Sequence, residues 1–203
     1  MAAIPTVGPR DVVFRSRIEA KWAHIFEMLG WDWEYEPIDL NGYIPDFILN
    51  GEVPILVEIK GELDIWSTFE THRNKIEASG WTGNYMILGA TYEKKFAIVE
   101  HDGDIMDDGV NIGICGIIGD DTHWRGWRRN GHSVSVSKAL LSRRIYCTGE
   151  VEYMISNRGS THLCRNFNLL RQASVNNLTV AIFDKMWVKA GNLVQWKAPK
   201  IGK

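Results

Sequence analysis

The 203-residue chain has few cysteines: Cys115, Cys147 and Cys164 are its only three, odd in number and widely spaced. They form neither a disulfide framework nor a C-x-x-C zinc knuckle, so a reducing compartment is expected. His162 lies just before Cys164 and could join Cys147 and Cys164 around a metal, although buried thiols are the plainer reading. No basic segment followed by an apolar one opens the chain, and no run of roughly 18 apolar residues interrupts it. Neither secretion nor membrane spanning is expected, and a cytoplasmic protein is. Internal repeats, low-complexity tracts and a clean linker are also missing. The acidic group Asp102, Asp104, Asp107 and Asp108 lacks the spaced oxygens and closing Glu of an EF-hand, which leaves a solvated turn. Gly113, Gly116 and Gly119 do not make a phosphate-binding fingerprint.

Large net charge is missing too, but the value of −2 hides an asymmetry. Residues 1–100 hold 9 Lys/Arg against 16 Asp/Glu, a balance of −7, whereas residues 101–203 hold 14 against 9, a balance of +5. An acidic half holding a cation and a basic half holding a polyanion would divide charge this way, as would ordinary surface composition. With 45% hydrophobic and 24% charged residues the chain can bury a core. Its nine Trp need packing or a flat partner to stack on.

Residues 1–10, with Pro5, Pro9 and Gly8, read as an extended arm. Phe14, Ile18, Trp22, Ile25 and Leu29 recur at steps of three and four, which predicts a helix from Asp11 to Leu29, ended by Gly30. Glu19 falls at the edge of that stripe, one turn after Arg15. The two could be a surface i, i+4 pair, or Glu19 could reach the sheet below. Trp31–Glu36 alternates aromatic and acidic residues as a strand does, and Asn41-Gly42 marks a turn. Strands are expected over 44–49 and 55–60, joined antiparallel by a two-residue turn at Asn50-Gly51. A helix over 65–79 and a fully apolar strand at Tyr85–Leu88 follow, the strand lying parallel to a neighbour. The expectation is therefore an α/β fold with a central mixed β-sheet flanked by helices, in the order αβββαβ. The core spans 11–92, and 93–203 form a basic C-terminal α+β extension packed on it. Within the extension, strands are expected over 95–100 and 112–118, and helices over 136–145, 162–173 and 178–190.

The stretches Tyr43–Leu49 and Pro54–Gly61 carry the chemistry. Asp46 ends a Pro-Asp dipeptide, and Glu58 and Lys60 sit two apart in an apolar run. Alternation along a strand puts Leu56, Glu58 and Lys60 on one face and Ile55, Val57 and Ile59 on the other. Charged side chains seldom point inward from a buried strand unless they pair or bind metal, so Asp46 beside Glu58 and Lys60 makes a candidate cation site. An exposed strand face with a cross-strand ion pair is the bland alternative.

Glu19 on a leading helix, Pro45-Asp46 on a strand and Glu58-Ile59-Lys60 on the next resemble the PD-(D/E)XK nuclease superfamily, whose restriction-endonuclease-like core has the same element order. The phrase Phe14-Arg-Ser-Arg-Ile-Glu-Ala-Lys-Trp22 with Tyr35-Glu-Pro37 also resembles small nucleases of bacteriophages and mobile elements, which would place the protein in a bacterial host cell. The resemblance covers about residues 11–90. It implies a DNA endonuclease of recombination, repair or transposition, dependent on Mg²⁺ with Mn²⁺ able to substitute. By the same resemblance Asp46 and Glu58 are direct ligands and the Ile59 carbonyl a third. Lys60 orients the water and balances charge, and Glu19 binds a second metal or a metal-bound water. Glu62 and Asp64 read as loop surface near the site. DNA is the implied partner, with a homodimer or a larger complex as the assembly. The alternative is a catalytically silent nucleic-acid-binding or assembly subunit with the same fold. A structural protein in which the motif is accidental is a third reading. For DNA binding, Trp124, Arg125, Trp127, Arg128 and Arg129 interleave aromatics with guanidinium groups, the mixture that grips phosphates and stacks bases. The same residues would suit a turn whose Trp fill a core. Arg73 and Lys75 on the second helix lie one element beyond the site.

Overall fold

A computed structural model describes residues 6–51, 54–95, 99–101, 104–106, 109–118, 127–129, 132–145, 151–156 and 180–195. Two short strands, β1 (Thr6–Val7) and β2 (Val13–Phe14), pair antiparallel across a 3-10 turn at Pro9–Asp11. The first long helix therefore starts later than its apolar stripe suggests: α1 runs Arg17–Leu29. Arg10 and Asp11 hold positive φ values of 58° and 55°, which no helix accepts. Ser16, in extended conformation, caps α1 by accepting from the Glu19 amide. Gly30, at φ 72°, stops it as expected.

Next come β3 (Asp32–Tyr35), β4 (Phe47–Asn50) and β5 (Ile55–Ile59), each antiparallel to the one before. The second helix, α2 (Phe69–Ala78), crosses over to β6 (Asn84–Lys95), which lies parallel to β5 with Val57 opposite Met86. A helix, three strands, a helix and a strand thus build a mixed α/β sheet in the expected order. The sheet continues through β7 (Val99–His101), β8 (Asp104–Met106), β9 (Gly109–Ile118), β10 (Trp127–Arg129), β11 (His132–Ile145) and β12 (Val151–Ser156). In space the order is β3-β4-β5-β6-β9-β11-β8-β7, with β10 and β12 also on β11.

Two expectations for the extension are corrected. Residues 136–145 are not a helix but most of β11, which pairs antiparallel with β9 and with β12. Ser133-Val-Ser-Val-Ser137 already alternates with period two. The helix-favouring Ala139-Leu-Leu141 that follows is overridden by ladder partners on both edges. The acidic stretch is also not all turn, because Asp104 opens β8. The helix expected over 162–173 lies outside the described residues. The last one is present as α3 (Val180–Leu193), extending past Gly191-Asn192.

Alternation on β5 and β6 splits the core in two. Ile55, Val57, Ile59, Met86 and Leu88 pack with α1 and α3 on one face, and Leu56, Tyr85 and Ile87 pack with α2 on the other. Phe183, Met186, Ala190 and Val194 are the buried stripe of α3. Its Trp187 meets Trp22 of α1 at a centroid distance of 5.3 Å, and the Trp22 indole donates to the Gly89 carbonyl at 2.9 Å. Among the described residues no helix is long and apolar enough to cross a membrane.

Gly116 of β9 has a packing role. It stands opposite Tyr85, and a Cβ there would fall 2.2 Å from the Tyr85 ring carbon Cζ. Overpacking of this kind costs about 1–3 kcal/mol. Gly116→Val is expected to lower the chemical-denaturation midpoint accordingly, and an unchanged midpoint would place the Tyr85 ring elsewhere.

Candidate active site

The two sequence turns exchange roles. Leu49 pairs with Ile55 and Asn50 still belongs to β4, so residues 51–54 connect β4 to β5 and there is no two-residue turn at Asn50-Gly51. The tight turn is Asn41-Gly42, with φ values of 56° and 89° and a Leu40–Tyr43 bridge closing it. Asp39 fixes it by accepting from the Gly42 amide at 2.6 Å. The register nevertheless does what the chemistry needs. Phe47 faces Val57, and Asp46, at the bend just before β4, comes close enough to Glu58 for its charge to act on it.

Both carboxylates are buried, Asp46 to 7% and Glu58 to 8% exposure. Each is held by specific donors. Asp46 Oδ2 accepts the Ile59 amide at 2.6 Å, and Asp46 Oδ1 lies 3.7 Å from Arg15 Nη2. Glu58 Oε2 accepts the Tyr43 hydroxyl at 2.8 Å, while Glu58 Oε1 pairs with Lys60 Nζ. Lys60 is anchored in turn by its amide, which donates to the Leu88 carbonyl at 2.8 Å. A strand residue's N–H and C=O leave toward the same neighbour, so the Ile59 carbonyl points to the Asp46 side of β5.

Burial, and next the Glu58 charge, push the Asp46 carboxyl up to about 7, against the smaller opposing pull of the Ile59 amide and Lys60. Burial also raises the Tyr43 hydroxyl, followed by the Glu58 charge, so Tyr43 remains a donor to Glu58. The result is two desolvated carboxylates facing one another, a strongly cation-seeking arrangement of hard oxygen donors.

Glu19 approaches from α1, near enough for its charge to act on Asp46. Its carboxylate is engaged by three donors: the Tyr35 hydroxyl at 2.6 Å and the Arg15 amide at 3.2 Å on Oε2, and the Ser16 hydroxyl at 2.5 Å on Oε1. Arg15 does not make the surface i, i+4 pair with Glu19. Its backbone serves Glu19, and its guanidinium turns to Glu36 and Asp46. Tyr35 is the hinge of this arrangement, since its hydroxyl also accepts from the Arg15 amide at 3.0 Å. Tyr35→Phe is expected to cost about 1 kcal/mol of unfolding free energy, with an unchanged denaturant slope. No loss would show that Glu19 is held without it.

Asp46, Glu58 and Lys60 are thus brought together, with Glu19 one layer out. Among the described residues no three His, Cys, Asp or Glu side chains form a group of metal-holding geometry, so Glu19 does not complete a third ligand position. The oxygens on offer are those of Asp46 and Glu58, with the Ile59 carbonyl on the same side.

Glu62 and Asp64 shape the turn into α2. Glu62 accepts from Thr68 and bonds His72 Nε2 at 3.1 Å, and Asp64 accepts the Trp66 amide at 3.0 Å. On α2, Arg73 is buried and ion-paired with Glu77 at 2.9 Å and Glu70 at 3.4 Å, whereas Lys75 is exposed. Trp127, Arg128 and Arg129 place their backbones on β10, and Trp124 and Arg125 lie outside the described residues. So do Cys147, His162 and Cys164.

Sequence reasoning missed Arg15, Tyr35, Glu36 and Tyr43 as site residues. Signals were at hand: Arg15, Tyr35 and Glu36 stand within the two phrases that carry the resemblance, and Tyr43 is a hydroxyl directly after an Asn-Gly turn and just before Pro45-Asp46. Compared with known proteins, the chain matches no family profile, no curated sequence and no solved structure.

Proposed function

We propose that this chain is a metal-dependent nuclease of the PD-(D/E)XK type, hydrolysing phosphodiester bonds in DNA. The observation that carries the reading is buried Asp46, just before β4, close enough to buried Glu58 of β5 for its charge to act on it, with Lys60 held on Glu58. The αβββαβ order around it supports a restriction-endonuclease-like core.

Phosphodiester hydrolysis needs a positioned water, relief of charge on the phosphoryl oxygens and a stabilised leaving alkoxide. A divalent cation such as Mg²⁺, or Mn²⁺ in its place, supplies Lewis acidity and charge relief when bound. Asp46 and Glu58 would hold it, aided by the Ile59 carbonyl. The Ile59 amide fixes Asp46 Oδ2, and the Tyr43 hydroxyl fixes Glu58 Oε2, so each carboxylate presents its remaining lone pairs in one orientation. Lys60 Nζ leaves Glu58 to hydrogen-bond the attacking water and offsets the charge that builds on the phosphoryl group. Glu19, braced by Tyr35 and Ser16, orients water at the outer edge of the site.

The test is a panel of supercoiled, linear, single-stranded and branched DNA, with RNA as a further arm, in Mg²⁺ and in Mn²⁺. Cleavage lost in the Asp46→Ala, Glu58→Ala and Lys60→Ala proteins is the expected result. Nucleic-acid binding without any cutting, unaffected by Asp46→Ala, would instead identify a silent subunit.

A further inference from the structure

We propose that Arg15 is a phosphate-binding subsite on the rim of the Asp46–Glu58 centre, taking the non-bridging oxygens of the backbone phosphate at the cut. This rests on the nuclease reading and names the group that grips the polyanion there. Three observations carry it. The Arg15 side chain is 58% exposed, whereas Asp46 and Glu36, the carboxylates it touches, are 10% and 28% exposed. The guanidinium is therefore tethered on its inner side and open on its outer side. Both carboxylate contacts use the single nitrogen Nη2, and Tyr35 is the guanidinium's other side-chain partner, so the planar fork keeps N–H groups for an outer ligand. The backbone beneath it is locked, because the Arg15 amide is bonded to Glu19 Oε2 and to the Tyr35 hydroxyl. An arginine held this way loses little entropy on gripping an anion.

Electrostatics decide which anion. Without a cation, Glu58 is paired with Lys60, whose charge also acts on Asp46, and Asp46 is touched more loosely, at 3.7 Å, by Arg15. A divalent cation on Asp46 would cancel the looser of the two carboxylate attractions on Arg15, leave the Glu36 pair to hold the side chain at the rim, and would bring a phosphate with it. Arg15 Nη2, 3.7 Å from Asp46 Oδ1, would stand beside a cation held there and could reach the oxygens of a phosphate bound to it. Its charge therefore opposes cation binding and favours phosphate binding. A residue that merely braces the fold would support both.

The opposed signs make the test. In the full chain without nucleic acid, Arg15→Gln is expected to bind Mn²⁺ as tightly as wild type or several-fold tighter, measured by calorimetry. In the Lys60→Ala background, where DNA stays intact, adding Arg15→Gln is expected to weaken DNA binding about tenfold and lower the salt slope by about one. In the cleaving protein, KM rises more than kcat falls. Arg15→Lys, which keeps the charge and the Glu36 partner, restores the salt slope but only part of the affinity. It carries the comparison if Arg15→Gln melts early. An unchanged DNA affinity and salt slope, or Mn²⁺ and DNA affinities falling together, overturns the inference while leaving nuclease activity in place. A wild type that cuts nothing on the substrate panel overturns the nuclease reading instead.

Discussion

Lys60→Ala is expected to lower the cleavage rate by about 10²–10⁴-fold, the range for losing a positioned acid–base or charge-stabilising group. The geometry sets how the loss divides. Lys60 is one-quarter exposed and anchored by its own amide to Leu88, so its side chain can be removed without disturbing the β5–β6 ladder. The chemical step should suffer and DNA affinity should not, which appears as a fall in kcat at nearly constant KM. Its partner Glu58 then keeps only the Tyr43 hydroxyl beside a second buried carboxylate, and an uncompensated buried charge is costly. The metal-free Lys60→Ala protein should therefore melt below wild type, and saturating Mg²⁺ should narrow the gap. Lys60→Arg keeps the charge but replaces a compact ammonium by a planar fork, and should recover stability better than rate. If wild type cuts no DNA or RNA substrate beyond the Lys60→Ala background in either metal, the nuclease reading fails.

The site was legible in the sequence wherever one strand's alternation decided the matter. Glu58 and Lys60 share a face because they are two apart, and an antiparallel return that puts Phe47 opposite Val57 brings the bend at Asp46 beside Glu58. That outcome tolerated a mistaken turn. A four-residue connection over 51–54 and a tight turn at Asn41-Gly42 give the register that the opposite assignment suggests. The start of α1 was not legible. Its apolar stripe continues backward through Phe14, but left-handed backbone at Arg10 and Asp11 and the Ser16 cap, all local, break the helix first. Nor was β11: Ala139-Leu-Leu141 has no strand signature alone, and the ladders that hold it come from β9 and β12. Arg15, Tyr35 and Tyr43 were hidden for the same reason. Their roles exist only once the segment before α1, the end of β3 and the loop after it bring a guanidinium and two hydroxyls to carboxylates on other elements.

Metal-free protein is expected to lose stability as the pH rises from about 4 to 7, and Asp46→Asn is expected to remove most of that loss. The cause is Asp46. Burial first, and the Glu58 charge second, lift its carboxyl from 3.8 to about 7 in the folded chain. A folded value above the unfolded one means the native state retains a proton that the unfolded chain has released. The stabilisation is complete below the unfolded value and is lost as the pH climbs through the folded one. At most about 1.4 kcal/mol per pH unit comes from one such group, and burial of both carboxylates makes roughly 1–4 kcal/mol the scale of the whole effect. Other titrating groups superimpose their own slopes, so the quantity to measure is the difference between wild type and Asp46→Asn in denaturation free energy at matched pH. Saturating Mg²⁺ should reverse the order at neutral pH, because a cation replaces the proton between Asp46 and Glu58 and stabilises only the chain that can hold it. Asp46→Asn has lost that carboxylate and should gain little. Parallel pH curves for the two proteins would mean that Asp46 does not carry the strain of the pair. A Mg²⁺ response equal in both would mean that the cation binds elsewhere.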